Sequence, residues 1–297
     1  MNGAPPGFRS GRVTIVGRPN VGKSTLLNHL VGQKVSITSK KAQTTRHRVT
    51  GILTTDDAQY VFVDTPGFQT LHRSRLNERM NRAVAQALAD VDAIVLVIEA
   101  GRTTAADRAV VALLPASAQV VVALNKIDRL PEKELLLPQM AALAASRAFA
   151  ALVPVSAEKD AGLAALLGAV RALLPEQSPL FEADALTDRD ERFLASEFIR
   201  EKIFRLLGEE VPYATSVGID AFEERDGVRR IRATVYVDKA SQRAILVGEG
   251  GAQMKEIASR ARADMERMFG GPVFLEVWVR VKRGWADDES MLKRFGY

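Results

Sequence analysis

The feature that most constrains the fold is a phosphate-binding motif near the start of the chain. Residues 17–24 have the spacing G-x-x-x-x-G-K-S, directly after the β-branched run 12–16 and before a segment, 23–30, with helical periodicity. In such a strand–turn–helix unit the backbone N–H groups point inward at an anion, and the helix presents its positive end there. We therefore predict a phosphate loop, with Lys23 at the β- and γ-phosphates and the Ser24 hydroxyl on Mg²⁺. The alternative, a glycine-rich turn beside a surface lysine, does not require this strand–helix context.

A second motif predicts which base is bound. Residues 125–128 read N-K-I-D and follow the apolar run 120–124, which is typical of a strand buried on both faces. The Asp128 carboxylate can accept hydrogen bonds from N1–H and the exocyclic amine of guanine, a donor pair that adenine lacks. Ser156 and Ala157 follow a later strand and fit a loop behind the guanine ring. A plain polar loop is the alternative for the N-K-I-D run.

A weaker motif, D-x-x-G, lies between these two, after the buried run 60–63. Its position predicts that Asp64 lies near Mg²⁺ and that the Gly67 N–H contacts the γ-phosphate. The segment before the second strand offers Thr44 or Thr45 as a further Mg²⁺ ligand. We favour Thr45, although either threonine could serve and an ordinary polar loop has the same local pattern.

Together these motifs predict a GTP- and GDP-binding site that requires Mg²⁺. The residues assigned to nucleotide binding all lie in the motifs or directly beside them: Gly17, Arg18, Pro19, Asn20, Val21, Gly22, Lys23, Ser24, Thr25, Asp64, Thr65, Pro66, Gly67, Phe68, Asn125, Lys126, Ile127, Asp128, Ser156 and Ala157. The predicted Mg²⁺ ligands, direct or through water, are Ser24, Thr45 and Asp64. The catalytic assignments are Lys23, Thr45, Asp64 and Gly67.

The second half of the chain has a different pattern. Strand-like runs at 217–219 and 231–237 precede a short helix, 241–247, a G-x-x-G turn at 248–251, a second helix and a last strand near 274–279. This order resembles a type II KH domain, whose glycine turn clamps four nucleotides of single-stranded RNA. A bare G-x-x-G turn can also be only a tight connection between two helices.

The predicted RNA contacts are the glycine turn and basic residues near it: Gly248, Glu249, Gly250, Gly251, Lys255, Arg280 and Lys282. Glu249 stands where RNA-binding KH turns usually carry a basic residue, so backbone N–H groups and the flanking cations must provide the affinity. Trp278 on the last strand is predicted to be a core residue. Thr187 is predicted to cap the helix that opens this half.

Two runs give the chain its family resemblance. Residues 17–28, GRPNVGKSTLLN, resemble the Era and Der branch of the translation-factor-related GTPases, and 41–48, KAQTTRHR, together with the KH-like half, narrow this to the Era family. The resemblance implies a slow GTP-hydrolysing switch that binds small-subunit ribosomal RNA near its 3′ end and acts in small-subunit assembly on a precursor of that subunit. The competing functions are a GTP-regulated membrane-surface or cell-division signalling protein and an RNA clamp in which GTP is only structural.

The residue after D-x-x-G bears on how water is activated. Small GTPases often place a water-orienting glutamine there, but this chain has Phe68, and Gln69 is one position further. Hydrolysis is therefore predicted to be slow without help. Related GTPases with this hydrophobic replacement use potassium, held partly by the asparagine that matches Asn20.

Composition and pattern set the predicted domain organisation. The fold class is α/β: a P-loop domain with a doubly wound, mostly parallel sheet at 12–174, then an α+β KH-like domain at 188–283. A disordered tail, 1–11, a linker, 175–187, and a C-terminal tail, 284–297, complete the predicted organisation.

The 297 residues contain no cysteine, which excludes a disulfide scaffold. We expect a cytoplasmic monomer, with at most loose peripheral membrane association.

Charge is distributed unevenly between the two halves. The net charge is +5. Residues 1–180 carry 21 Lys and Arg against 14 Asp and Glu, a net charge of +7, whereas 181–297 carry 20 against 22, a net charge of −2. The negative total of the second half favours local RNA recognition over indiscriminate binding of polyanions.

Overall fold

A computed structural model describes residues 5–41, 43–67, 75–89, 91–208 and 210–296. The chain divides into two compact units. The first contains the described parts of 1–36, 48–70 and 80–188, and the second those of 37–47, 71–79 and 189–297. Phe68 and Gln69, which the sequence places next to the γ-phosphate, lie outside the described residues.

The first unit is built on a six-stranded sheet with the order β2-β3-β1-β4-β5-β6, in which only β2 is antiparallel to its neighbour. This confirms the predicted mostly parallel α/β sheet. The strands are β1 Arg9–Val16, β2 Val49–Thr54, β3 Ala58–Asp64, β4 Ala93–Glu99, β5 Val120–Asn125 and β6 Ala151–Val155. The helices are α1 Lys23–Val31, α2 Arg75–Ala89, whose first turns belong to the second unit, α3 Ala105–Leu113, α4 Leu136–Ser146 and α5 Leu163–Arg171.

The burial of these strands explains why the motifs meet. Every residue of β3 and β5 is buried, because helices cover both faces of a parallel sheet and leave no polar side to either strand. Parallel strands end at the same edge of the sheet, so the loops after β1, β3, β5 and β6 lie together there. Those four loops carry the predicted nucleotide-binding residues.

The second unit combines a three-stranded sheet with helices that, except for the last, pack against one face of it. Its elements are α6 Glu191–Leu206, α7 Glu210–Tyr213, β7 Thr215–Arg225, β8 Val228–Val237, α8 Ala240–Val247, α9 Ala252–Phe269, β9 Val273–Val281 and α10 Glu289–Arg294. The order is β7-β8-β9, with β7 antiparallel and β9 parallel to β8. Alternate residues of β8, such as Ile231 and Val235, pack against α6 and α9 in one core.

Two details of this unit differ from the sequence predictions. Helix α6 begins at Glu191 and is capped by Asp190, whose carboxylate accepts from the Phe193 N–H at 2.7 Å. Thr187 instead donates its hydroxyl to the Thr50 carbonyl at 2.6 Å. Trp278 is not a core residue: it is 63% exposed, because it lies on the face of β9 opposite the helices.

Candidate functional site

The phosphate loop adopts a backbone that needs its glycines. Gly17 and Gly22 have φ values of 156° and 102°, and a Cβ on them would lie 2.5 Å from the Val97 carbonyl oxygen and 2.4 Å from the Asn125 side-chain nitrogen. Asn20 also has a positive φ, 65°, which is uncommon for a residue other than glycine. These conformations keep the loop open as a cradle for phosphate and leave no room for larger side chains.

Lys23 lies buried within that cradle. Its ammonium donates to the Gly17 carbonyl at 2.9 Å and to the Arg18 carbonyl at 3.1 Å. Burial lowers the pKa of Lys23 to about 8, against the raising effect of the Asp64 charge. The two carbonyls hold the ammonium in place. The negative charge of a bound polyphosphate would stabilise the protonated form of Lys23, which burial disfavours.

The predicted Mg²⁺ position is marked by hydroxyls around one carboxylate. Ser24 donates to Asp64 Oδ2 at 2.6 Å, and Ser36 donates to the same oxygen at 2.9 Å. Asn28 fixes Ser36 through both its backbone groups, at 2.7 and 2.9 Å. Hard oxygen donors of this kind suit Mg²⁺, which usually takes few protein ligands and completes its shell with water and phosphate oxygens. Sequence analysis missed Ser36, and the polar segment after α1 carries no motif that would have revealed it.

The guanine end of the site is held by bonds between separate motifs. Asn125 donates to the Val21 carbonyl at 2.8 Å and accepts from the Ala157 N–H at 3.0 Å. Lys126 donates to the Asn20 carbonyl at 2.7 Å. Asp128 is exposed, and Ser156 donates its hydroxyl to the Asp128 carboxylate at 2.5 Å. The asparagine therefore fixes both neighbouring loops, and the Asp128 carboxylate is exposed beside them.

Two carboxylates that pair with Arg18 and Lys126 support this arrangement. Glu99 at the end of β4 accepts from Arg18 at 2.5 Å and from Lys126 at 3.2 Å. Arg18 also pairs with Asp107 in the first turn of α3, at 3.1 Å. The two cations lower the pKa of Glu99 against the opposing effect of its burial. Neither acid belongs to a motif, so sequence analysis did not identify them.

The segment with the two threonines belongs to the second unit. There Arg46 is buried and donates to the carbonyls of Thr215 at 2.8 Å, Tyr213 at 3.0 Å and Pro212 at 3.1 Å. The Thr44 carbonyl accepts from Arg200. Thr44 donates its hydroxyl to the Lys41 carbonyl at 2.7 Å, and Thr45 is buried. The assignment of Thr45 to Mg²⁺ stays a prediction.

The glycine turn of the second unit joins α8 to α9, as the sequence predicts. Gly248, Gly250 and Gly251 all have positive φ, 73°, 55° and 82°. A Cβ on Gly248 would lie 2.6 Å from Gln253, whereas Gly250 and Gly251 have open space around them. The turn is thus free to receive a backbone from outside, which is what a phosphodiester chain requires.

The basic residues predicted to contact RNA are distributed over both faces of this unit. Lys255 is exposed one turn into α9, and Lys282 is 3.7 Å from Asp288. Arg280 is exposed on the sheet face opposite the helices, so it does not lie with the glycine turn. Ile245, 53% exposed on α8 directly before the turn, is an apolar surface that the sequence did not assign to binding.

The fold and the site define a class: a P-loop GTPase joined to a KH domain. The family comparisons agree. Residues 12–126 match a model described as a 50S ribosome-binding GTPase, and residues 210–286 match a KH domain.

Full-length relatives give the particular family. The chain is 54% identical over 291 residues to the GTPase Era of Nitrosomonas eutropha, covering 98% of each. It is 55% identical over 295 residues to the GTPase Era of Neisseria meningitidis serogroup A, covering 99% of this chain and 96% of that one. A structure of Aquifex aeolicus Era bound to GDP and aluminium fluoride is 37% identical, with a TM-score of 0.94 over 98% of this chain and 99% of its own. The chain belongs to the Era family of GTPases.

As a member of this family, the chain is a GTPase and binds guanine nucleotide. The geometry agrees on independent grounds, because the glycine cradle, the buried lysine and the oxygen cluster at Asp64 suit a magnesium nucleotide. In the part of the chain that the structure describes, no helix has the length and apolar character needed to cross a membrane.

Proposed function

We propose that this chain is a slow GTP-driven switch that binds small-subunit ribosomal RNA near its 3′ end and acts in assembly of that subunit. The main support for the proposal is a solved structure of a relative with the same two-domain architecture. A structure of Era with a magnesium GTP analogue and nucleotides 1506–1542 of 16S ribosomal RNA is 37% identical, with a TM-score of 0.93 over 98% of this chain. The open glycine turn gives this chain a matching clamp.

Within that function, each residue of the nucleotide site has a task. Lys23 and the glycine-loop N–H groups hold the phosphates, and Ser24 and Asp64 hold Mg²⁺. The ion, when bound, neutralises charge that develops on the phosphates. Asp128 selects guanine, and Ser156 and Ala157 support it from the neighbouring loop. Phe68 stands where small GTPases often place a water-orienting glutamine, so we expect the unaided rate to be slow.

Potassium is the proposed activator of hydrolysis. Asn20 is exposed at the rim of the phosphate loop, and its carbonyl is fixed by Lys126 at 2.7 Å. We propose that its side-chain amide oxygen is a ligand for a monovalent cation beside the phosphates. Such a cation would stabilise transferring charge much as an arginine finger does.

The sharpest test of the whole proposal combines RNA identity with nucleotide state. RNA crosslinked to the full chain in cells is sequenced, for the wild type and for Lys23→Ala, which removes the phosphate-binding cation. We expect reads concentrated at the 3′ end of small-subunit ribosomal RNA and depleted in the variant. Reads spread evenly over cellular RNA would contradict the proposed target.

A single-turnover measurement separates the switch from a structural clamp. Hydrolysis of bound GTP is measured with and without an RNA corresponding to nucleotides 1506–1542 of 16S ribosomal RNA. A switch is expected to hydrolyse bound GTP and to respond to RNA. A clamp would retain intact GTP through many rounds of RNA binding.

We further propose that the protein is a cytoplasmic monomer in which membrane contact, if any, is peripheral.

A further inference from the structure

The outer face of the second unit's sheet carries two exposed aromatic side chains on its edge strand. Phe274 is 49% exposed and Trp278 is 63% exposed. They lie on β9 at alternate positions with Leu275 and Val277, which pack towards the helices. The two rings therefore point away from the core, on a strand with a neighbour on one side only. A strand rises about 3.3 Å per residue, so they are spaced about 13 Å apart.

Part of this outer face is already covered by the chain itself. At one end Tyr236 of β8 is buried beneath Phe295, with ring centroids 5.3 Å apart, and Arg294 lies 5.7 Å from the Tyr236 ring. That cover does not reach Phe274 and Trp278, which stay exposed. The same sheet face thus has a closed end and an open end.

Arginines lie beside the exposed rings at the open end, together with Glu223 of β7, which stands in register with Arg230. Arg230 and Arg232 of β8 are exposed and stand in register with Phe274 and Glu276, and Arg280 follows Trp278 on the same face of β9. The Arg230 guanidinium lies 5.6 Å from the centre of the Phe274 ring. Aromatic rings interleaved with arginines on one face of a sheet form a stacking platform for bases with cations placed for the phosphates.

The pattern favours RNA over a protein partner. Surfaces that bind proteins bury contiguous apolar area, whereas here every exposed ring is separated from the next by a charged side chain. Glu276, between the two rings, does not oppose this: its carboxylate can accept from the exocyclic amine of cytosine. Stacking on isolated rings needs no continuous apolar patch.

We propose that the outer face of β8 and β9, centred on Phe274 and Trp278, is a second RNA-binding surface that stacks bases of the same RNA held by the glycine turn. The inference rests on the proposed function, since it adds a second contact to that RNA. The glycine turn clamps about four nucleotides. A longer RNA would reach the outer face, and a short one would not.

The test uses the full chain and two RNAs: one of about four nucleotides, the length that fills the turn, and the longer 1506–1542 segment. Trp278→Ala is expected to weaken binding of the longer RNA on the order of tenfold, the usual loss for one stacked base. It should leave the short RNA unaffected. Leu137→Ala, which removes an exposed apolar side chain from α4 in the first unit, is the matched control.

Fluorescence gives a direct readout of stacking. The chain has two tryptophans, and the other, Trp285, is only 1% exposed. The longer RNA should quench the Trp278 emission, the short RNA should not, and Trp278→Phe should lose the quenching yet keep most of the affinity. Wild-type affinity of Trp278→Ala for the longer RNA, without quenching in the wild type, would overturn the inference.

Three other outcomes would give this surface to a different partner or show which of the two proposals is wrong. A concentration-dependent dimer abolished by Trp278→Ala would give this face to a second copy of the chain and overturn the inference. If Gly250→Asp abolishes binding of both RNAs while Trp278→Ala changes neither, the glycine-turn function stands and only the second surface is wrong. If the wild type binds neither RNA, the proposed function itself is wrong.

Discussion

The two binding regions of this protein are built in opposite ways. At the nucleotide site, added side-chain atoms would collide: a Cβ on Gly22 would lie 2.4 Å from Asn125, and one on Gly67 would lie 3.0 Å from Pro19. At the proposed RNA-binding turn, a Cβ added to Gly250 or Gly251 would meet nothing within 4 Å. Hydrogen bonds between its own loops fix the nucleotide site in the absence of ligand, whereas the last two glycines of the turn have open space around them.

The difference explains how selective each region can be. Asn125 and Lys126 tie loops from separate strands together, so the groups that read the base are fixed in advance, and a fixed polar site rejects mismatched ligands strongly. In the proposed RNA clamp, contacts to the phosphodiester backbone carry no sequence information, so sequence preference must come from surrounding side chains. We therefore expect large effects from substitutions at the nucleotide site and moderate ones at the turn.

The largest effect should follow Asp128→Asn. The amide presents an N–H to a position that needs an acceptor for guanine but a donor for the 2-oxo group of xanthine. The preference for GTP over xanthosine triphosphate should fall by about 10⁴-fold or more. Calorimetry with both nucleotides measures this, and Glu158→Gln, the same chemical change on an exposed neighbouring carboxylate, should leave the preference intact. Equal GTP affinity in Asp128→Asn and wild type would contradict the base-reading role.

The same contrast explains which parts of the fold and of the two sites could be predicted from the sequence. The four motif loops were placed correctly because each follows a strand whose apolar run is unmistakable and parallel strands bring their ends together. Ser36, Glu99 and Asp107 were missed, since their roles depend on which segments meet in space. In the second unit the three strands, α6 and the two helices beside the glycine turn were predicted from alternation and helical periodicity, whereas α7 and α10 were not. Trp278 was assigned to the core because composition does not tell which face of an edge strand is covered.

Potassium dependence should give the next largest effect. If Asn20 helps to hold the cation, turnover in KCl should exceed turnover in NaCl at equal ionic strength by about 10²-fold, the usual contribution of one preorganised charge at the transition state. Asn20→Gly should remove the preference, since glycine keeps the positive φ of 65° without the amide. Gln69→Ala should change little. A collapse of turnover in Gln69→Ala, with nucleotide affinity intact, would transfer the water-orienting role to that residue.

A moderate effect is expected at the glycine turn. Gly250→Asp introduces a carboxylate where a phosphate must approach, and RNA affinity should fall by about tenfold to a hundredfold, the loss from one or two unfavourable charge contacts. GTP affinity should not change. Gly227→Asp is the control, because Gly227 also has a positive φ, 72°, and open space, but lies in the turn between β7 and β8. Equal RNA affinity of the two variants would remove the turn from the binding site.

The smallest expected effect concerns the protonation of Lys23. Because burial lowers its pKa to about 8 in the free protein, raising the pH above 8 removes the proton that the phosphates need. Binding then takes up a proton, and GTP affinity should fall about tenfold between pH 7.5 and 9. Lys23→Arg, whose guanidinium stays protonated throughout, should show no such slope whatever its absolute affinity.

The stability of the nucleotide-free protein should change in the opposite direction. Between pH 8 and 10.5 the unfolded chain carries the Lys23 proton and the folded chain does not, so the free energy of unfolding rises with pH across that window. Denaturant titrations of the wild type and Lys23→Met isolate this contribution, since methionine has no proton to lose. Parallel pH profiles for the two proteins would show that Lys23 is not the group that titrates, and the steep affinity profile would then need another origin.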